Sequence, residues 1–430
     1  VINSGQAQSL NKAKLDSLFD ILSANNKAMG SIALSQNGKL VYQKAIGYSS
    51  IGTSGTIQAD IHTRYRIGSI TKTFTATLIF QLIEEGKLSL TTPLKDFYPQ
   101  ILNAESITIS QLLNHRSGIH NFTDDPSYMS WMEKPKTHEE ILKIIVDGKS
   151  DFQPDSKASY SNSNYILLGY IIEKITKKAY AEVLKEKITS KVGLTDTYYG
   201  NKTDLKKHES YSYKFDGNNW KQEPETDMSI PHAAGSIVST PADLVKFIEA
   251  LFANKLVKEA SLLKMKTLTD GYGMGLFQFP FNGKKSFGHN GGIDGFASML
   301  AYFPDEKLSI AYCTNGQVYN MNNIVMGALS IYFNKPYSIP SFKAVSLTAE
   351  DLEKYLGVYA SSQIPLKITI SKDNLTLMAQ ATGQSAFPLE AVEKDKFKFD
   401  QAQIIIEFNT TTQEMTLIQG GKSYIFRKEK

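Results

Sequence analysis

Ser69 and Lys72 lie three residues apart in the run Arg66-Ile67-Gly68-Ser69-Ile70-Thr71-Lys72, at the mouth of an apolar-periodic stretch. From Thr71 onward Phe74, Leu78, Ile79, Leu82 and Ile83 recur at three- and four-residue steps, which predicts a helix buried on one side and stopping near Gly86. Residues three apart on a helix share a face, so a hydroxyl at 69 and an amine at 72 can meet. A helix N-terminus adds free N–H groups and about half a positive charge, which suits an anion forming on a substrate. Ser69 reads as a nucleophile. The competing reading is an ordinary N-cap serine. Ser-x-x-Lys also occurs at Ser9–Lys12 and Ser261–Lys264, so the spacing alone does not single out Ser69.

A serine activated by lysine needs a proton relay, donors for the oxyanion and groups that hold the substrate. Ser159-Tyr160-Ser161-Asn162 leads into a helical run ending near Ile175, which puts a phenol and a carboxamide on a loop-to-helix turn. Phe287-Gly288-His289-Asn290-Gly291-Gly292 reads as a strand whose glycines admit close backbone approach. Each has a plainer reading. Tyr-x-Asn recurs at Tyr199–Asn201 and Tyr332–Asn334, Asn162 could merely cap its helix, and a lone strand histidine such as His289 is ordinarily a hydrogen-bonded core residue.

The elements that must position these residues follow from patterning. Leu10, Leu15, Leu18, Phe19, Ile21 and Leu22 outline an amphipathic first helix. Ser31–Ser35 and Lys39–Ile46 alternate around Asn37-Gly38, a strong hairpin signal, and a polar loop (Ser50–Thr63) leads to the Ser69 helix. Residues 89–235 read as helical and loop-rich: Thr137 and Glu140 form a capping box, Val183–Ile188 continues as a helix, and Thr240-Pro241 opens another. Strands return at Gly275–Phe279, Lys285–Gly288, Ser298–Phe303 and Leu308–Cys313, followed by a helix over Ile324–Tyr332. Strands at both ends of a region with helices between them imply an α+β architecture: one antiparallel sheet (about 8–68 and 270–335) flanked by helices, with a helical subdomain at about 89–235. This first domain spans 1–340. The character changes at Pro336–Pro340, and a boundary between 335 and 347 is expected. Beyond a short capped helix at Leu347–Leu356, apolar runs at about ten-residue spacing, with turns at Lys372-Asp373-Asn374 and Gly420-Gly421, predict a small all-β barrel or sandwich over 347–430.

Composition narrows the function. The 430 residues carry a net charge of only +4. Arginine occurs four times (Arg64, Arg66, Arg116, Arg427), too sparse a supply for bidentate phosphate or base recognition, so no nucleic-acid partner is expected. Cys313 is the single cysteine, which excludes an internal disulfide and a Cys-based metal or redox site. The nearest histidine pair, His115 and His120, flanks a Ser-Gly turn and is not read as a metal site; no metal and no cofactor are expected. No run of eighteen apolar residues is present, so no transmembrane segment is expected. The chain begins Val-Ile-Asn-Ser-Gly, an end expected of a processed protein.

The ordered set Ser69-Ile-Thr-Lys72, Tyr160-Ser-Asn162 and His289-Asn-Gly291 resembles the serine β-lactamase and penicillin-binding superfamily, in its Tyr and His versions the class C-like branch. Tyr65–Thr73, Leu112–Ile119, Asn162–Gly169 and Gly235–Leu244 resemble segments of that family in the same order, and the resemblance covers about 8–335. It implies a serine hydrolase working through an acyl-enzyme on a small D-amino-acid peptide, amide or ester, of D-Ala-D-Ala carboxypeptidase or D-aminopeptidase type. A carboxylesterase, a weak β-lactamase and a non-catalytic penicillin-binding-like protein are the alternatives on the same fold. By the same resemblance Ser69 attacks, Lys72 or Tyr160 is the base, and His289 supports Tyr160. Asn162, Asn290 and Gly291 position the substrate, and the N–H groups of Ser69 and Gly292 form the oxyanion hole. Where the family carries a hydroxyl in Lys-Thr-Gly or His-Thr-Gly, this chain has Asn290, which argues against efficient β-lactam turnover. With a reference pKa near 6.5, His289 is expected to make activity pH-sensitive. The resemblance also implies a periplasmic or extracellular location with the signal peptide removed; oligomeric state is left open.

Overall fold

The computed structural model describes residues 10–52, 55–342, 347–373, 375–399 and 402–429. Ser9, Asn374 and the 343–346 part of the expected boundary lie outside them. The chain divides into two compact units: one runs to Phe19 and resumes over Ala28–Gln317, the other takes Asp20–Lys27 and the chain from Val318 onward.

In the first unit the sheet is assembled from both ends of the sequence. Its strands are β1 (Ala28–Gln36), β2 (Lys39–Ile46), β3 (Phe277–Phe281), β4 (Lys284–Ile293), β5 (Phe296–Phe303) and β6 (Leu308–Gln317). They pair antiparallel in the order β3-β4-β5-β6-β1-β2. Asn37 and Gly38 both take positive φ (52° and 77°), the backbone a two-residue hairpin requires. Strand β4 is longer than the expected Lys285–Gly288. It carries His289 and Gly291 beyond the end of β3, where they have β5 on one side only.

The Ser69 stretch departs from expectation in one respect. A 3₁₀ turn (Gly68–Ile70) feeds the helix Thr71–Glu84, and every residue from Thr71 to Leu82 is buried rather than one face alone. The polar positions in that stretch are mostly threonines whose hydroxyls find acceptors inside the protein. Thr73 donates to the Gly275 carbonyl (2.7 Å), Thr75 to that of Ala233 (2.6 Å) and Thr77 to that of Thr73 (2.8 Å). A buried hydroxyl with a partner costs little, so a helix with a threonine face can be central. Phe74 stacks on Phe247 of the helix Pro241–Phe252 at a centroid distance of 3.6 Å, and Gly86 ends the run with φ +71°.

Two further differences are local. The expected loop Ser50–Thr63 contains a hairpin, Tyr48–Gly52 with Gly55–Gln58, in which Ile51 faces Thr56; residues 53–54 lie outside the described residues. β-branched residues at 51, 56 and 57 favour that extended form over a loop. The expected helix Val183–Ile188 is a short helix, Tyr180–Leu184, continued by a π-turn at Lys185–Thr189. The capping boxes at Thr137/Glu140 and Thr348/Asp351 both form.

In the second unit eight strands between Gly357 and Lys428 close into a barrel. Pairing of the first with the last, Tyr359 opposite Lys428, makes it a barrel and not a sandwich. Ile368, Ile370, Leu377, Phe397, Ile406, Met415, Leu417 and Phe426 fill its core, and Gly420-Gly421 turns with both φ positive.

Thr75 links the central helix to the segment that ends beside the Ser69 turn. Thr75→Val keeps the shape but leaves the Ala233 carbonyl and the Tyr180 hydroxyl short of a buried partner. Urea unfolding should register a loss of about 1–3 kcal/mol; a change inside experimental error would contradict this account of the helix.

Candidate active site

Ser69 sits half-buried in the 3₁₀ turn, and Lys72 follows on the first turn of the helix with no exposed surface. The Lys72 Nζ lies 2.9 Å from Ser69 Oγ, 2.7 Å from Asn162 Oδ1 and 2.8 Å from the Ala234 carbonyl. Among the described residues no carboxylate pairs with it. Burial without a counter-charge pushes the Lys72 amine well below the usual lysine range.

The hydrogen-bond inventory points the same way. Asn162 Oδ1 and the Ala234 carbonyl can only accept, so they take two Lys72 hydrogens. The Tyr160 hydroxyl donates to Ser69 Oγ at 2.8 Å. Burial raises the Tyr160 phenol above its ordinary value, with the bond to Ser69 opposing, so it stays protonated. A neutral amine then has one lone pair left, which can accept the Ser69 hydroxyl proton. Every group in the chain Tyr160–Ser69–Lys72 is satisfied in this state. A charged amine would leave the serine proton without a partner in that chain.

Helix starts hold the second and third contributors. Ser161 is the N-cap residue of Asn162–Thr176, and the Asn162 backbone N–H donates to Asn121 Oδ1 (2.9 Å) while its Nδ2 donates to Thr123 Oγ1 (3.0 Å). This turns the Asn162 carbonyl oxygen toward Lys72. His115 stacks on the Tyr160 ring at 4.5 Å and accepts from the Ser161 N–H through Nδ1 (3.1 Å). His120 instead bonds Asp151. The two histidines serve different loops, and among the described residues no cluster of His, Cys, Asp and Glu is arranged to hold a metal ion.

His289 is 2 % exposed, its ring tilted toward that of Tyr160 at 6.4 Å and edge-on to Phe277 at 4.7 Å. Its Nδ1 is 2.5 Å from the Asn290 carbonyl, which can only accept, so the proton sits on Nδ1. Burial lowers the imidazole to about 3. It therefore stays neutral across the physiological range, and the pH sensitivity expected from a histidine titrating near 6.5 has no source here.

Backbone approach completes the arrangement. Gly68 has φ +50°, and a Cβ on it would stand 2.8 Å from Gly292 N. Gly291 packs against the Ile67 carbonyl and Ser298 Oγ with no room for a side chain. Ser69, Asn162, Ala234, Gly235 and Gly292 together line a cavity of about 280 Å³. Asn290 is exposed on β4 between the buried His289 and Gly291 and, like Tyr160 and His289, is not itself among the lining residues. Of the rival Ser-x-x-Lys runs, Ser261 bonds Glu84 Oε1 (2.6 Å) while Lys264 is exposed. Sequence reasoning missed the Ala234 carbonyl and the Asn121, Thr123 and His115 supports, although His115 and Gly235 fall in segments already matched in order.

Comparison with known proteins gives the family. The Beta-lactamase family model matches residues 15–330. Penicillin-binding protein 4* of Bacillus subtilis (strain 168) is 25% identical over 434 residues, covering 93% of this chain and 94% of its own. The octameric penicillin-binding protein homologue from Pyrococcus abyssi has a TM-score of 0.71 at 26% identity, covering 97% of this chain and 100% of its own. D-amino acid amidase from Ochrobactrum anthropi SV3 has a TM-score of 0.65 at 26% identity, over 75% of this chain and 98% of its own. With the match spanning well over half of the chain and its relatives including serine hydrolases, the chain belongs to the beta-lactamase family of serine hydrolases.

Proposed function

We propose that this protein hydrolyses a small D-amino-acid amide, peptide or ester through an acyl-enzyme on Ser69. The hydrogen-bonded chain Tyr160–Ser69–Lys72, whose central member lines a cavity, carries the reading. Lys72 is the base. Already neutral, it takes the Ser69 proton as Oγ attacks the substrate carbonyl. The Ser69 and Gly292 N–H groups receive the oxyanion, a contribution worth about a hundred- to thousandfold per donor. Tyr160, kept protonated by burial, hands its proton to the departing amine or alkoxide, and the proton held on Lys72 replenishes the phenol. Water then attacks the ester with the same groups acting in reverse. Asn162 holds Lys72 in place, and His289 buttresses Tyr160 as a neutral ring.

The D-amino-acid preference rests on the amidase relative and on Asn290, which removes the hydroxyl that serves β-lactam carboxylates in the family. Nitrocefin should accordingly turn over far more slowly than D-amino-acid esters. Substrates of this kind belong to the bacterial cell wall, which supports a location outside the cytoplasmic membrane. Among the described residues no helix is long and apolar enough to cross one.

A fluorophosphonate probe should add one mass increment to the native protein, on the peptide containing Ser69, and none to Ser69→Ala. A native protein that stays unlabelled, or a labelled Ser69→Ala, would overturn the reading. The state of Lys72 also has a stability signature. The folded protein holds the amine neutral while the unfolded chain binds a proton up to about pH 10.4, so the unfolded state carries more protons below that value. Stability contributed at this site must rise with pH. Relative to Lys72→Met, the native protein should gain up to about 1.4 kcal/mol per pH unit between pH 6 and 9 in urea unfolding. A difference that stays flat over that range would contradict a neutral Lys72.

A further inference from the structure

The reacting cavity is charged in one sense only. Glu223 and Asp294 are among its lining residues, and no lysine, arginine or histidine is. Asp294 is committed to structure: its Oδ2 accepts from Arg66 (2.9 Å), and its Oδ1 accepts from the Thr226 N–H (3.0 Å) and hydroxyl (2.7 Å). Arg66 in turn also pairs with Glu225 (2.6 Å), so two carboxylates share one guanidinium that is 3 % exposed. Glu223 is different. It is half-buried, and among the described residues no side-chain hydrogen bond or ion pair engages its carboxylate. Its backbone is anchored, the N–H donating to the Ser212 carbonyl (2.9 Å). The rest of the wall is largely apolar, with Phe122, Tyr128, Met132 and Ile293 beside the catalytic end.

From this we infer that the cavity selects substrates by a free α-ammonium group bound at Glu223, with an apolar side chain against Phe122 and Met132. The enzyme is then an aminopeptidase or amino-acid amidase in type, acting on an N-terminal residue. It is not a carboxypeptidase acting at a free C-terminus. A substrate carboxylate would meet the unpaired Glu223 carboxylate and no free cation, whereas an ammonium meets an unpaired negative charge in a partly desolvated wall. The cavity volume of about 280 Å³ lies at the small end for ligand sites, in keeping with a single amino-acid residue rather than a long peptide.

The inference rests on Ser69 being the nucleophile, and one assay separates the two claims. The rate of fluorophosphonate labelling of Ser69 reports whether the cavity is free. D-phenylalaninamide should slow labelling of the native protein. N-acetyl-D-phenylalaninamide, which lacks the ammonium, and N-acetyl-D-phenylalanine, which carries a carboxylate instead, should need at least about tenfold higher concentration for the same protection. Glu223→Gln should raise the half-protecting concentration of D-phenylalaninamide by about tenfold or more. Glu133→Gln, an exposed carboxylate outside this lining, should leave it at the native value. Equal protection by the amine and its acetyl derivative, stronger protection by the carboxylate, protection by none of the three, or native protection in Glu223→Gln would each overturn the inference while labelling of Ser69 stands. Absence of labelling in the native protein would instead remove the hydrolase reading beneath it.

Discussion

The structure turns on an amine buried where it cannot be charged at ordinary cost. Lys72 has no exposed surface, no carboxylate partner among the described residues, and two acceptor-only neighbours in Asn162 Oδ1 and the Ala234 carbonyl. An isolated ammonium in such a place would cost several kcal/mol, so the proton leaves instead. In the proposed mechanism that burial gives the hydroxyl three residues upstream a base already in hand. It also fixes the division of labour, because the same desolvation that takes a proton from Lys72 keeps one on Tyr160 and keeps His289 neutral. One low-dielectric setting sets three protonation states.

The fold supplies that setting from distant parts of the chain. The helix Thr71–Glu84 is buried all round, which only its satisfied threonines make tolerable. Thr75 ties it to Ala233, next to the carbonyl that holds Lys72. The helix Asn162–Thr176 brings Asn162 in at its first turn, with Asn121 and Thr123 steering the carboxamide. Strand β4 runs on past its neighbour so that His289 and Gly292 reach the same place, and Gly68 and Gly291 let the two backbones close up.

Much of this was legible before any coordinates. Three short motifs in order named Ser69, Lys72, Tyr160, Asn162 and His289. Asn37-Gly38, the Thr137/Glu140 box and the period of Thr71–Ile83 marked their elements. What could not be read was set by contacts between residues far apart in sequence. The helix at 71–84 looked amphipathic because threonine counts as polar until its hydroxyl is seen to have a partner. The choice between Lys72 and Tyr160 as base needed the burial of both groups. The pH sensitivity expected of His289 has no source in the fold because a reference pKa takes no account of desolvation. Glu223 carries no motif at all, and its place in the cavity wall comes from the fold alone.

The most direct test is a titration of Lys72 in the folded protein by the ¹³C shift of its ε-carbon, assigned by its disappearance in Lys72→Met. The account predicts a neutral amine at pH 7, titrating well below the other lysines. A resonance that titrates with them, near pH 10.4, would contradict it.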